Sequence, residues 1–172
     1  MQAAEGFITV NLYGINYPMK FSNRVYNAFE ENTGRDLNSL GSKLLNEWAV
    51  MKDLGFFDDD ASPDIAATEA AARFSEVITK KDAAWLFYLC AKECNSKVDI
   101  GEMEEAVTFE LFDEACFQAG TTTKLVNGNV CEGYHVRFFE LFLFYMGMIK
   151  SEEESKKKAS FTSFLKRLVS NR

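Results

Sequence analysis

From Phe7 to Tyr13 apolar and polar positions alternate, with Ile8, Val10 and Leu12 on one side and Thr9 and Asn11 on the other. That period of two is a strand with one buried face. Gly14-Ile15-Asn16 supplies a turn, and Tyr17 to Phe21 reads as the returning strand, so a hairpin is expected over 7–21. Pro18 has no N–H to give a ladder, which puts the second strand at an edge or leaves it partly paired. The pattern then changes to helical spacing. Ser22 is an N-cap, Val25, Ala28 and Phe29 share a face, and Gly34 stops the helix at a position that wants a left-handed residue. Leu37, Leu40, Leu44, Trp48 and Met51 predict a second helix over 38–54, closed by Gly55. Ser62 and Pro63 cap and begin a third, with Ala67, Ala70, Ala71, Phe74, Val77 and Ile78 as its stripe. Ala83 to Ala91 is a continuous apolar run, read as a buried helix over 82–94. Val98, Asp99, Glu102 and Met103 have the spacing of a staple and capping box, opening a helix or pair of short helices that reaches Ala119 and Gly120. Thr121 to Gly133 is polar, and Asn127-Gly128-Asn129 marks a tight turn, suited to a small hairpin.

The stretch from Tyr134 to Ile149 differs from all of these. It contains no proline, and from Leu141 to Ile149 no residue is charged and only Gly147 is not a large apolar side chain. A surface helix shows one apolar stripe, whereas this one is apolar nearly all round, so it is either buried on several sides or grips a partner. It is too short to span a membrane and begins with Arg137 and Glu140. Most of its side chains read as core, with some surface left for another helix. Phe138, Leu141, Phe142, Phe144, Tyr145 and Met148 are therefore candidate partner-binding residues. The helix is free to continue past Ile149, because Glu152–Lys156, Glu153–Lys157 and Glu154–Lys158 are well-oriented pairs four apart. Phe161, Phe164, Leu165, Leu168 and Val169 make a last short amphipathic helix, whose Phe161, Phe164 and Leu165 join the partner-binding candidates.

The expected fold is mainly α: a short N-terminal β-hairpin followed by a bundle of about six helices. Residues 1–150 form a single helical domain carrying the hairpin, and 151–172 a basic amphipathic tail. Length supports one domain with a real core. The charge is uneven: residues 150–172 hold seven Lys and Arg against three Glu, a net of +4, so with −7 overall the rest carries −11. An acidic body argues against nucleic-acid binding, which needs a basic face. The basic tail suits an acidic partner or lipid surface, or folds back on the body. Docking on its own domain is the ordinary reading of so short an apolar face, and no membrane association is expected. Met1 to Gly6 has neither a basic nor an apolar leader region, so no signal peptide is expected and a reducing cytoplasm is the default compartment.

Two constellations invite a chemical reading. Counted from Asp58, the loop 58–69 resembles the calcium loop of EF-hand proteins, with Asp58, Asp60, Ser62 and Asp64 as oxygen donors and Glu69 at the twelfth position. Pro63 stands where that loop needs glycine, and the competing reading is that Ser62-Pro63-Asp64 starts a helix with acid near its positive end. Cys90 and Cys94, with Cys131 and His135, are each one helical turn apart and could together offer zinc three sulfurs and a nitrogen. Free cysteines on apolar faces are more often small buried hydrophobes. His135 is the only histidine, no nucleophile motif accompanies it, and no glycine-rich phosphate loop occurs. Neither an enzyme nor a cofactor is expected.

Asn11 to Ser22, followed by Ala28-Phe29-Glu30-Glu31-Asn32-Thr33-Gly34-Arg35-Asp36-Leu37, resembles the N-terminal region of tail assembly chaperones of long-tailed bacteriophages. So does the later pairing of an apolar helix bearing Trp85 with an acidic helix opening at Val98 to Val107, and the likeness covers residues 7–119. It implies a non-enzymatic, mostly helical protein of the infected host's cytoplasm, absent from the mature virion. Such proteins bind and solubilise the tape measure protein, help recruit tail tube subunits and tend to self-associate as homo-oligomers. Many are also made in a longer frameshifted form, for which the codons of Lys156-Lys157-Lys158 are a candidate slippery site. Two alternatives stand beside this: a calcium-responsive module using 58–69, and a structural phage connector or tail protein.

Overall fold

The computed structural model describes residues 6–95 and 107–149. Strands β1 (Ile8–Leu12) and β2 (Ile15–Met19) form an antiparallel hairpin in which Ile8 faces Met19 and Leu12 faces Ile15. The turn is the two residues Tyr13 and Gly14, at φ 50° and 88°. The sequence reading placed the turn one residue late and the return strand two residues late. Two left-handed residues in succession match the twist of the flanking strands, which Gly14-Ile15-Asn16 would not. The side chain of Asn11 fastens the turn, accepting from Gly14 N at 3.2 Å and donating to Asn16 Oδ1 at 2.9 Å. Pro18 lies opposite Thr9 in this two-stranded sheet.

Helix α1 (Asn23–Thr33) starts at Ser22, whose hydroxyl accepts from Val25 N, and ends at Gly34 with φ 71°. Helix α2 (Leu37–Asp53) is capped by Asp36 and buries the anticipated Leu37, Leu40, Leu44, Trp48 and Met51. Helix α3 (Pro63–Ser75) opens with Ser62 as cap and Pro63 in its first turn, and buries Ala66, Ala70 and Phe74. Arg73 clips it to α2, donating to Glu69 at 2.6 Å and Glu47 at 3.1 Å. Helix α4 (Lys80–Asn95) begins with a reciprocal cap: Thr79 N donates to Asp82 Oδ2, and Asp82 N to Thr79 Oγ1. The buried Asp82 carboxylate is also paired with Arg35, which donates to Val77 O at 2.9 Å.

Helix α5 (Phe109–Ala119) is capped by Thr108. The helix start expected at Asp99 lies outside the described residues. Strands β3 (Lys124–Val126) and β4 (Asn129–Cys131) make the second hairpin, turning at Asn127 (φ 53°) and Gly128 (φ 80°) as their sequence predicts. Helix α6 (Tyr134–Tyr145) then passes through the centre, touched by β1, α2, α3 and α4. All twelve of its residues are buried, including Arg137 and Glu140. Two glycines allow that enclosure. A Cβ on Gly41 would sit 2.1 Å from the Phe142 ring, and one on Gly133 would lie 2.8 Å from Gly120 O.

The helix stops short of Ile149. Gly147, at φ 78°, lets Met148 N reach Leu143 O (2.9 Å) and Gly147 N reach Phe144 O (3.0 Å), the paired bonds of a Schellman ending. The glycine that looked like a gap in an apolar run is the stop signal. The mainly-α fold with an N-terminal hairpin stands as read, with six helices among the described residues. The tail, 151–172, and its amphipathic helix lie outside them.

Candidate functional site

The two hairpins meet at one end of the molecule. A Cβ on Gly14 would come within 3.1 Å of Val126 Cγ1, and the Lys124 ammonium sits 5.8 Å from the centre of the Tyr13 ring. Lys124 also donates to Gln118 O at 2.6 Å, which ties β3 to the last turn of α5. Beneath, the Tyr17 and Phe112 rings pack edge to face at 4.9 Å. Side-chain alternation sends Lys124, Val126 and Cys131 toward the body and the cross-strand pair Leu125 and Val130 outward. Leu125 is 75% exposed, and Val130, Tyr13 and Ile15 are exposed as well. Phe117, on α5 beside Gln118, is 66% exposed. Five apolar side chains thus face water around two tight turns. An isolated two-stranded hairpin is marginal in water, and this one leaves its apolar outer face uncovered.

None of these five was among the candidates read from the sequence. The anticipated partner-binding residues lie elsewhere: Phe138, Leu141, Phe142, Phe144 and Tyr145 are enclosed in the core, and of the α6 group only Met148, beyond the helix end, is exposed. The expectation of free surface on α6 is thereby corrected, because four elements pack around it. Phe161, Phe164 and Leu165 lie outside the described residues.

The metal readings find no geometry. Among the described residues no group of three or more His, Cys, Asp or Glu side chains is placed to hold a metal ion. In the loop 58–69 the Ser62 hydroxyl accepts from Ile65 N, and Glu69 is held by Arg73 four residues on. Asp58, Asp60 and Asp64 are exposed, and the Pro63 helix start overrides the turn a calcium loop requires. Cys90, Cys94, Cys116 and Cys131 are free, buried thiols, and burial pushes those of Cys90, Cys94 and Cys116 upward. His135 lies with its ring 6.0 Å from that of Phe74, and burial holds its pKa down to about 4, so it is neutral at physiological pH.

The buried charges of α6 have structural partners. Arg137 donates through Nε to Asn11 O at 3.1 Å and pairs with Glu140 at 3.5 Å. The guanidinium therefore pins the first hairpin to the central helix. Among the described residues no helix is long and apolar enough to cross a membrane.

Fold and surface together define a small mainly-α protein with a closed helical core and an apolar end built from two hairpins. Compared with protein-family models, curated proteins and solved structures, the chain matches none.

Proposed function

We propose that this chain is a tail assembly chaperone of a long-tailed bacteriophage. In this reading it has no catalytic role: it binds and solubilises the tape measure protein in the host cytoplasm, helps recruit tail tube subunits, self-associates and is left out of the finished virion. The observation that carries the reading is that five exposed apolar side chains, Tyr13, Ile15, Phe117, Leu125 and Val130, lie on or beside the two hairpins, while Leu54, Ile65 and Met148 are exposed elsewhere and the central helix is closed. Apolar clusters of this kind mark contact sites for other proteins. The resemblance of residues 7–119 to such chaperones supports the choice among protein-binding roles, and the acidic charge suits a protein that keeps an apolar client soluble.

Co-expression tests this. The long helical protein encoded beside this chain's gene should remain in the soluble fraction with the chain and pellet without it, and purified virions should lack the chain. A client that pellets regardless would overturn the reading, and so would a neighbourhood with no such gene. Finding the chain in virions would favour a structural tail protein instead.

A further inference from the structure

The apolar end has an acidic flank. On α5, Glu110, Glu114 and Phe117 follow one another at spacings of four and three, so they form a single stripe, and all three are exposed. Among the described residues neither Glu110 nor Glu114 is in an ion pair, whereas their neighbour Asp113 is neutralised by Lys80 at 2.9 Å. Lys124, on β3, is turned inward onto Gln118 O and the Tyr13 ring. An apolar surface beside two exposed carboxylates selects by charge as well as by apolarity. The chain as a whole carries 19 Lys and Arg against 26 Asp and Glu, a net of −7, which adds long-range attraction for a cation.

Strand addition is a poor fit, because β3 and β4 are three residues long and offer few backbone groups to a new strand. We propose that this end takes a basic amphipathic helix of the client protein, with its apolar side chains on Phe117, Leu125 and Val130 and its Lys or Arg side chains on Glu110 and Glu114. The inference rests on the reading of the hairpin end as the client-binding surface and adds the chemistry of the bound segment.

The full chain is titrated with a Leu/Lys peptide patterned as an amphipathic helix and with its Leu/Glu counterpart, by fluorescence anisotropy. The Leu/Lys peptide should bind, and Phe117→Ser with Leu125→Ser should weaken it about tenfold or more. Glu110→Gln with Glu114→Gln should weaken it about threefold or more and flatten its salt dependence. Asp58→Asn with Asp59→Asn and Asp60→Asn, in the loop before α3, should leave it unchanged. All variants alter exposed side chains, and circular dichroism checks that each is folded. Equal loss from both acid-neutralising variants would mean diffuse attraction and overturn the proposal. Equal binding of the two peptides would overturn the charge preference and leave the surface assignment standing. Failure of both peptides would remove the surface assignment too. Binding that emerges only after residues 151–172 are deleted would make the chain's own tail the occupant, and the proposal would fall.

Discussion

Helix α6 and the β3–β4 hairpin are separated in the chain only by Glu132 and Gly133, yet they treat their apolar side chains in opposite ways. The helix is the more apolar of the two and hides every residue, charged ones included. The hairpin has two outward apolar residues and hides neither. Density of apolar residues therefore reports how many elements surround a segment, and it says little about partner binding. A contact surface is better sought where exposed apolar side chains lie together, as Leu125 and Val130 do across their strands.

The largest expected effect comes from breaking the enclosed side of that comparison. Phe138 is fully buried, with its ring 6.1 Å from that of Phe29, and Phe138→Ala should cost about 3–5 kcal/mol in urea unfolding. A folded, barely destabilised variant would mean that α6 is not the centre of the core. Arg137→Ala should cost about 3–5 kcal/mol as well, since it leaves Glu140 buried without its cation. Arg137→Met with Glu140→Leu removes both charges and should recover most of that loss, because the pair's own desolvation is removed with it. If the double variant is as unstable as the single one, the bond from Arg137 to Asn11 O is what matters, and hairpin docking depends on it.

Acid provides a gentler probe. His135 has a folded pKa of about 4 against 6.5 in the unfolded chain, so the unfolded state takes up a proton first. Its contribution is fully present above pH 6.5 and is lost as pH falls toward 4, amounting to about 3 kcal/mol. Replacing it by the uncharged Phe should flatten this part of the stability profile, measured as the urea midpoint between pH 7 and 4. An unchanged slope would show that His135 is hydrated. Gly41→Ala should cost about 2 kcal/mol, since the new methyl meets a Phe142 ring that has nowhere to move.

Much of the fold was legible because its signals are local. Ser22 and Ser62 cap the helices they precede, and Asn127-Gly128 forms the turn its composition demands. What was not legible depended on tertiary surroundings. Nothing in the order of residues shows that four elements close around α6, whereas Gly147 is a local stop signal hidden inside an apolar run. In the loop 58–69 the competing local signal is the one that acts: Pro63 starts a helix, and Glu69 pairs with Arg73 along it. The exposed pair Leu125 and Val130 escaped notice because a three-residue strand has too few positions to show a period.

The smallest expected effect lies on the exposed side. Phe117→Ser and Leu125→Ser remove apolar atoms that are already in water, so each should shift stability by no more than about 0.5 kcal/mol. The serine hydroxyl needs no partner at an open site, and the lost β-propensity of Leu125 is small beside the Asn127-Gly128 turn that sets the hairpin. Urea midpoints within error of the parent would mean that these side chains contribute little to the isolated fold, so that their role must be sought in binding. A loss of about 2 kcal/mol or more would mean that Phe117 and Leu125 are covered within the chain itself. The contrast with α6 would then collapse, and the hairpin end would be core.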